Sequence, residues 1–588
     1  MRPVESDGDL KERRGAVPSR TDVLPPGLSA PAPPAPFGHL PGMALDRKLM
    51  PRLGAEACLH LRVLPWRRMG GAVILLSEVP DLAPQARALL RSLYGELRLF
   101  SVEKGEIGRL ILTHFARDLV ARAETLCPEA ASCRAPTARP LRVLLGALLL
   151  AAGLVAWVGP VAVGRGVLLW SLLWLLALTA LRAAALVPRR RPVPPPRLKD
   201  RDLPSITMLV PLFRETAITD HLLAHLAGLD YPRNRLQILL ICEAEDVETL
   251  SSLAGVDLPE GVELLTVPDG CIRTKPRALN YALPFATGDI LGIWDAEDAP
   301  EADQLRVVAA AFAAASPDVA CLQGQLDFYN SRATWLTRCF TLEYASWFRV
   351  ILPALERLNW VLPLGGTTLF LRRDALNAVG GWDAHNVTED AELGLRLARA
   401  GYRTRMIPTT TFEEANGLAW PWVRQRSRWL KGFALTYAAH MRSPRELWHD
   451  LGGRGFLSVQ VIFLGTLTQV LVAPLFWALW LLPWLDGATG APVLNAGMLQ
   501  LTVTIFLASE LVALAVYAAG LKPAGKLGLL VWAVTMPLYY LLAVVAGYKA
   551  MWEILTRPYY WDKTAHGILP PDRVSRSARV WPRRASAG

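Results

Sequence analysis

The stretch Ile290-Leu291-Gly292-Ile293-Trp294-Asp295-Ala296-Glu297-Asp298 places three carboxylates directly after a run of apolar residues. A short and wholly apolar run predicts a buried strand of a parallel sheet. Two similar runs precede it, at 206–211 and 237–242. Predicted helices alternate with these strands, at 216–228, 275–286, 301–315, 389–400 and 421–440. This alternation predicts an α/β domain over residues 200–441, which would bind ligands beyond the carboxyl ends of its strands.

Apolar segments of membrane length flank this domain on both sides. Hydrophobic residues make up 52% of the 588 residues, and they are concentrated in blocks. The mean hydropathy is +0.26. We expect a transmembrane hairpin at 140–188 and a C-terminal transmembrane region at 456–550, with apolar blocks at 141–158, 167–187, 456–484, 499–519 and 527–546. The sequence therefore predicts a multi-pass membrane protein with an α/β domain between its spans.

The net charge of +11 has its main sources beside the apolar blocks, in Arg189-Arg190-Arg191 and in the tail after Lys563. Basic residues that flank spans indicate a cytoplasmic side, so we expect the α/β domain and the tail, residues 551–588, in the cytosol. The location that follows is the inner (plasma) membrane of a bacterium. No stripe of basic and aromatic residues appears elsewhere, which excludes nucleic acid as a partner.

The N-terminal part divides into two regions. Residues 1–45 are rich in Pro, Gly and charge, and predict a disordered arm. Residues 46–130 predict a small α/β domain, with strands at 58–65 and 72–76 and helices at 82–93 and 107–126. The seven cysteines form no C-x-x-C pair, which is typical of reduced cytosolic thiols.

The acidic run after the apolar stretch suits a divalent metal. Carboxylate oxygens are hard ligands, so Asp295 and Glu297 predict a site for Mg²⁺ or Mn²⁺ that would also hold a diphosphate. The alternative is a turn followed by a helix, with Asp298 as the N-cap.

A second acidic cluster, Thr388-Glu389-Asp390, opens a predicted helix behind Gly365-Gly366-Thr367. A carboxylate in this position is well placed to take a proton from an acceptor hydroxyl, and we predict Asp390 as the general base. The alternative role for these acids is to stabilise the helix through its dipole.

The run Gln425-Arg426-Ser427-Arg428-Trp429 follows on a helix. Arg428 would bind a diphosphate and Trp429 would stack on a sugar ring. The alternative is an interfacial helix on which Trp420, Trp422 and Trp429 anchor the chain at the membrane surface.

These motifs together resemble the processive family 2 glycosyltransferases of the GT-A fold, such as the bacterial cellulose, chitin and hyaluronan synthases. The resemblance covers roughly residues 140–567. It rests on the segments 210–215 (VPLFRE), 275–280 (KPRALN), 295–298 (DAED), 365–367 (GGT), 388–390 (TED) and 425–429 (QRSRW).

The resemblance implies an α/β GT-A (Rossmann-like) cytosolic domain inserted between transmembrane helices. It also implies that Asp295 and Glu297 bind the metal and that Asp390 is the base. Residues implied to bind donor or acceptor are Glu215, Glu243, Asp246, Lys275, Gly366, Thr367, Glu389, Gln425, Arg428 and Trp429. Two departures stand out: Glu297 occupies a position where Asp is usual, and Cys242-Glu243-Ala244-Glu245-Asp246 replaces the usual first acidic pair.

The N-terminal domain has a resemblance of its own. The segments Arg52-Leu53-Gly54 and Leu64-Pro65-Trp66-Arg67-Arg68, followed by a Gly-Gly turn, resemble the N-terminal domain of type II secretion ATPases. Some of those domains bind cyclic di-GMP, which implies a cyclic di-GMP or protein partner here. The alternative is a docking module without a ligand.

The sequence therefore predicts a membrane-embedded inverting glycosyltransferase. It would transfer sugar from a UDP-sugar to a growing exopolysaccharide, processively and coupled to export through its own spans in the lipid bilayer. One alternative is transfer of a single sugar to a lipid carrier. The other is a non-catalytic membrane scaffold or receptor.

Overall fold

The computed structural model of the protein describes residues 45–134, 140–188, 196–215, 219–479 and 495–560. Among these, the chain forms two compact units. The smaller contains residues 45–54 and 63–102, and the larger contains residues 55–62 and the chain from 103 onward. Nearly all of the predicted arm (1–45) and residues 561–588 of the predicted tail lie outside the described residues.

The strands belong to two separate sheets. In chain order they are β1 (Val63–Met69), β2 (Ala72–Ser77), β3 (Leu97–Ser101), β4 (Ile206–Leu212), β5 (Leu236–Glu243), β6 (Val262–Val267), β7 (Ile290–Ile293), β8 (Ala299–Pro300), β9 (Val319–Phe328), β10 (Leu369–Arg372) and β11 (Arg403–Glu413).

The α-helices of the described residues are α1 (Ala55–Leu61), α2 (Pro84–Tyr94), α3 (Glu106–Thr125), α4 (Pro140–Val158), α5 (Pro160–Ala185), α6 (Thr219–Ala227), α7 (Val247–Ala254), α8 (Lys275–Ala282), α9 (Gln304–Ala313), α10 (Trp335–Ser346), α11 (Leu352–Arg357), α12 (Arg373–Ala378), α13 (Glu389–Arg399), α14 (Ala419–His440), α15 (Pro444–Val459), α16 (Thr466–Leu479), α17 (Ala496–Leu521) and α18 (Met536–Thr556). Short π-helical turns follow α10 (Trp347–Ile351) and α15 (Gln460–Gly465), and a 3₁₀ segment, Leu527–Thr535, precedes α18.

The smaller unit contains a three-stranded sheet in the order β1-β2-β3. β1 and β2 pair antiparallel, whereas β2 and β3 pair parallel. The predicted strand at 72–76 is confirmed as β2, but the predicted strand at 58–65 is wrong over 58–61. Those residues belong to α1, because Ala55, Glu56, Ala57 and Leu59 are strong helix formers.

The strands described in the larger unit form one mixed sheet, in the order β6-β5-β4-β7-β10-β9-β11-β8. β4 lies between β5 and β7 and pairs parallel with both. β10 runs antiparallel between β7 and β9, and β11 is parallel to β9. The three predicted strands are confirmed as β4, β5 and β7, whereas β6, β8, β9, β10 and β11 were not predicted.

The apolar character of β4, β5 and β7 follows from their burial. Met208, Leu240 and Ile290 lie in one buried cluster with Trp294. Helices cover both faces of such a sheet, so a charged side chain in these strands would lose its hydration without compensation. Polar groups therefore appear where each strand ends, and these ends form the site.

Four helical segments are long and apolar enough to cross a membrane, among the residues described: Ala162–Ala185, Pro444–Pro474, Ala496–Leu521 and Leu527–Thr556. They overlap the predicted blocks at 167–187, 456–484, 499–519 and 527–546. The predicted block at 141–158 is helical, as α4, but is not one of these four candidates. The second candidate is kinked at Gly452, whose φ of +64° interrupts the helix.

Candidate active site

One cavity of about 640 Å³ in the larger unit is lined by many of its acidic, basic and aromatic side chains. Residues at the end of β5, at and after the end of β4, and directly after β7 line it, together with the 363–367 loop and the beginnings of α8 and α13. Of the predicted site residues, the cavity wall includes Glu215, Glu243, Lys275, Asp295, Glu297, Gly366, Thr367, Glu389, Asp390, Gln425, Arg428 and Trp429.

Asp246 is the predicted site residue that the structure places elsewhere. Its Oδ1 accepts a hydrogen bond from Thr249 N at 3.3 Å, so it caps the N-terminus of α7. Its second carboxylate oxygen accepts from the backbone N–H of Arg214. Both oxygens are therefore used to fix the loops after β4 and β5.

Glu243, in contrast, lines the cavity and pairs with Arg277, whose side chain is fully buried. Burial raises the pKa of Glu243 to about 7, although Arg277 opposes this increase. Of the acids in the Glu243–Asp246 segment, Glu243 is thus the one in position to contact a donor nucleotide.

Lys275 lies at the centre of the acidic groups. Its ammonium donates to Asp295 Oδ1 and, at 2.7 Å, to the carbonyl oxygen of Gly366. Burial alone would lower the pKa of Lys275, but the charges of Asp295, Glu389 and Asp390 raise it above its ordinary value. The lysine is therefore a fixed cation among carboxylates.

Asp295 and Glu297 fit the donor set expected for Mg²⁺ or Mn²⁺. Both carboxylates line the cavity, and neither is fully buried. Mg²⁺ is commonly held by one or two carboxylates together with substrate phosphates and water, and this pair supplies the protein part of such a set. These two residues could therefore hold a metal that also binds a diphosphate.

Asp298 does not cap a helix, so the alternative assigned to it is wrong. Ala299–Pro300 forms β8, and the next helix begins only at Gln304. Asp298 is buried, and its Oδ2 accepts from the Thr367 hydroxyl and, at 2.8 Å, from Asp295 N. It ties the acidic loop to the 365–367 loop, and burial raises its pKa well above the usual range.

Asp390 and Glu389 stand at the first turn of α13. Burial raises the pKa of both carboxyls, that of Glu389 to about 7, while Lys275 and Arg428 act in the opposite direction. A Cβ at Gly366 would lie 3.3 Å from Asp390 Oδ2, so the absent side chain leaves room for the Asp390 carboxylate. A base with a raised pKa facing a cavity is the arrangement that general-base chemistry needs.

Packing of α14 fixes the segment that carries these acids. Asn386 Nδ2 donates to Thr436 Oγ1 of α14 at 2.8 Å, and Thr388 N donates to Asn386 Oδ1 at 3.0 Å. Thr388 itself lies directly over Gly432 of α14. The contact is so close that only a glycine allows it.

We expect Gly432→Ala to destabilise the fold by about 1–3 kcal/mol, because the new methyl group overlaps the side chain of Thr388. Thermal unfolding of the detergent-solubilised protein measures this change. Gly401→Ala is not a suitable control, since Gly401 has a positive φ. Gly166→Ala is one, because a methyl group there meets no atom within 4 Å. Equal melting temperatures for Gly432→Ala and Gly166→Ala would contradict the packing argument.

Gln425, Arg428 and Trp429 lie on α14 at the edge of the same cavity. Gln425 Oε1 accepts from Asn416 Nδ2 at 3.0 Å. The interpretation of three Trp residues as membrane anchors is wrong for Trp422, which is 1% exposed. Trp420 is 55% exposed, whereas Trp429 lines the cavity.

Sequence reasoning missed several residues of the cavity wall. Glu413 is the last residue of β11 and Glu414 follows it; burial with nearby Asp298 and Glu297 raises the pKa of Glu413 well above the usual range. Glu343 of α10 and Arg426 of α14 also line it. The acidic pair Glu413-Glu414 at the end of an extended segment could have indicated this part of the site. It was missed because β11 itself was not predicted.

The cavity continues between the candidate spans. Side chains from α5, α16, α17 and α18 complete its wall. On α17 the lining residues recur every three or four positions, as expected for one helix face. They include Thr502, Phe506, Ser509, Glu510, Ala513 and Tyr517.

The family model "Glycosyltransferase like family 2" matches residues 204–432, which contain every strand from β4 to β11 and most of α14. The central domain is a family 2 glycosyltransferase. Its fold is the GT-A fold with a mixed α/β sheet, as the sequence predicted.

Relatives of this glycosyltransferase differ in their products. The chain is 28% identical over 328 residues to the beta-monoglucosyldiacylglycerol synthase of Synechocystis, covering 53% of this chain and 65% of the relative. It is 25% identical over 254 residues to the cellulose synthase 1 catalytic subunit (UDP-forming) of Komagataeibacter xylinus, covering 41% of this chain and 32% of the relative. The chain thus spans less than two thirds of the length of each relative.

A solved structure is also similar to the glycosyltransferase. The mannosyltransferase PcManGT of Pyrobaculum calidifontis, determined in complex with GDP-mannose and Mn²⁺, aligns with a TM-score of 0.44 and 20% identity. The alignment covers 64% of this chain and 99% of that one.

Proposed function

We propose that the protein is an inverting glycosyltransferase of the bacterial inner membrane, which adds sugars from a UDP-sugar to a growing exopolysaccharide and passes the product between its own membrane helices. One observation carries the proposal: the cavity that holds Asp390 and Asp295 continues along α5, α16, α17 and α18. The acceptor end and its exit route would share one space.

The chemistry is a single displacement. Asp390 takes the proton of the acceptor hydroxyl, the oxygen bonds to the anomeric carbon, and the bond from that carbon to the nucleoside diphosphate breaks. One displacement inverts the configuration. Arg428 and Lys275 line the same cavity, and their positive charges would stabilise the negative charge that develops on the departing diphosphate in the transition state.

Asp295 and Glu297 would hold the divalent metal, Mg²⁺ or Mn²⁺, which neutralises diphosphate charge when bound. Glu215, Glu243, Gly366, Thr367 and Glu389 would complete the donor side of the cavity. Gln425 and Trp429 would hold the acceptor end, where the indole face suits a sugar ring.

The membrane portion of the cavity supports a glycan as the product. Thr502, Ser509 and Glu510 face it from α17, and Trp347, Tyr540 and other aromatic residues line it as well. An ionisable side chain within a membrane segment is costly unless it serves a polar path. A chain of hydroxyl-rich rings would use hydroxyl and carboxylate partners with aromatic faces between them.

Transfer of one sugar to a lipid is the second candidate. Leu175, Leu178 and Leu181 of α5 line the same cavity, and apolar side chains suit an acyl chain. The relative that makes monoglucosyldiacylglycerol supports the same interpretation. The size of the product separates the two candidates.

The N-terminal region, residues 46–130, is proposed to regulate this activity through cyclic di-GMP or a protein partner. The support is the sequence resemblance of this region to secretion ATPase domains. The region lies outside the glycosyltransferase match, which begins at residue 204. Cyclic di-GMP therefore belongs in the assay as a variable.

The test is release of UDP by the purified protein in lipid nanodiscs, with UDP-glucose, UDP-N-acetylglucosamine, UDP-glucuronate and UDP-galactose. Each donor is supplied with Mg²⁺ or Mn²⁺, with EDTA, and with or without cyclic di-GMP. We expect one donor to give high-molecular-weight glycan, with no turnover in EDTA. A lipid-linked single sugar would establish the second candidate instead. Absence of UDP release from every donor would overturn the proposed function.

A further inference from the structure

Arg426 lies inside the run Gln425–Trp429, but its guanidinium is held by the protein. Its Nη1 and Nη2 donate to the two carboxylate oxygens of Glu343 on α10, at 2.9 and 2.5 Å. Bidentate pairs of this kind fix orientation as well as distance. Both side chains line the cavity and are largely enclosed, with 14% and 22% of their surface exposed.

The fixed guanidinium in turn contacts the Trp429 ring. The Arg426 guanidinium carbon lies 4.5 Å from the centroid of Trp429 and 4.9 Å from that of Trp422. Tyr344, the neighbour of Glu343, stacks on Trp429 at 6.2 Å and 27°. The indole that faces the cavity is therefore held by a charged group and a second aromatic ring.

The same carboxylate binds a membrane helix. Tyr539 of α18 donates its hydroxyl to Glu343 Oε2 at 2.5 Å and accepts from Trp422 Nε1 at 3.1 Å. Tyr539 belongs to the candidate span Leu527–Thr556. One carboxylate thus connects a span, α10 and α14 at the point where the cavity passes from the catalytic domain into the membrane helices.

We propose that Glu343, Arg426 and Tyr539 are positioning residues that fix the Trp429 ring, and with it the acceptor end, relative to the membrane helices. The inference rests on the proposed function. Without the Glu343 charge, Arg426 loses its partner and the indole can change its tilt. A loosely held acceptor misses the sugar more often, so that water takes its place and the donor is hydrolysed.

The experiment measures coupling, defined as the fraction of released UDP whose sugar is recovered in the product. It uses the donor that the wild-type protein turns over. We expect Glu343→Gln to lower this fraction by about fivefold. The KM for the donor should change by less than about twofold, because the side chains proposed to bind the donor do not contact Glu343. Tyr539→Phe removes the hydroxyl that bonds to Glu343, Trp422 and Arg426 but leaves the Glu343–Arg426 pair in place, so it should give a smaller decrease in the same direction.

Lys526→Met is the matched control. Lys526 Nζ donates to the buried Asp327 at 2.8 Å, and this pair also joins the sheet domain to the segment before Leu527–Thr556. Neither residue lines the cavity. Loss of this pair can reduce stability, but we expect coupling to remain that of the wild type.

A double variant adds a second criterion. If Glu343 acts through the indole, Glu343→Gln combined with Trp429→Ala should couple no worse than Trp429→Ala alone. Wild-type coupling in Glu343→Gln would overturn the inference. An equal loss of coupling in Lys526→Met would also overturn it, because the Glu343 network would then act only by joining the catalytic domain to the membrane helices. Failure of the proposed function is recognised separately, because the wild-type protein would then release no UDP.

Discussion

Asp390→Asn is expected to lower sugar transfer by about 10²–10⁴-fold, the range that a positioned general base contributes. The amide preserves the shape of the side chain but cannot accept the acceptor's proton at neutral pH. Donor binding should change little, because Lys275 and Arg428, and not Asp390, are the side chains proposed to bind the diphosphate. Released UDP and incorporated sugar measure transfer, and calorimetry with UDP measures binding.

Asp374→Asn provides the control for that variant. Asp374 is also an acid in the first turn of a helix of the same domain, but it is exposed and does not line the cavity. Its replacement tests whether any carboxylate at a helix start matters through the helix dipole, the alternative considered for Asp390. We expect transfer within about twofold of the wild type, because such dipole effects contribute only 0.3–1 kcal/mol at the surface. Transfer by Asp390→Asn above a tenth of the wild-type rate would disprove the base assignment.

The sequence located the acidic side of the site because buried strands are apolar throughout and their ends are not. β7 consists of four buried residues, and Asp295 and Glu297 follow it closely. The same contrast located Glu243 at the end of β5. Each prediction needed only local sequence.

The strands that were missed contain polar residues for reasons of tertiary structure. Gln323 in β9 is buried, yet its side chain donates to the carbonyls of Thr367 and Thr368 and accepts from Gly365 N at 2.9 Å. Such a residue breaks the apolar pattern that predicts a buried strand. Its partners lie more than forty positions away, so no local pattern reveals them.

Glu343 was missed for a related reason. It lies 83 positions before Arg426, on a helix that carried no recognised motif. Its two partners are Arg426, which pairs with it on the cavity wall, and Tyr539, which is further still along the chain. Networks that join distant elements are visible only in the folded chain.

Wild-type activity should begin to fall at a higher pH than an ordinary aspartate base would give, because burial raises the pKa of Asp390 above its usual range. An ordinary aspartate would keep its negative charge down to about pH 4. The base is active when deprotonated, so a raised pKa moves the acidic limb of the pH–rate profile upward. Lys275 limits this rise, because its positive charge lowers the pKa of the Asp390 and Glu389 carboxyls.

Lys275→Met should therefore have two effects. Turnover at pH 7 should fall by about 10²–10³-fold, as expected when one fixed group that stabilises transition-state charge is removed. The acidic limb of the remaining activity should move to higher pH, because Glu389 and Asp390 lose the cation that favours their charged forms. A pH–rate profile of kcat for wild type and variant measures both.

Lys431→Met separates this effect from a general loss of buried charge. Lys431 is fully buried, on α14, and its Nζ donates to Glu553 at 3.0 Å, outside the cavity wall. Removing it takes away one of the cations that pair with the buried Glu553, which Lys549 and Arg557 also contact, and should reduce stability. It should not move the acidic limb, since no catalytic carboxyl contacts Lys431. An unshifted limb in Lys275→Met, or an equal shift in Lys431→Met, would show that Lys275 does not control the ionisation of Asp390.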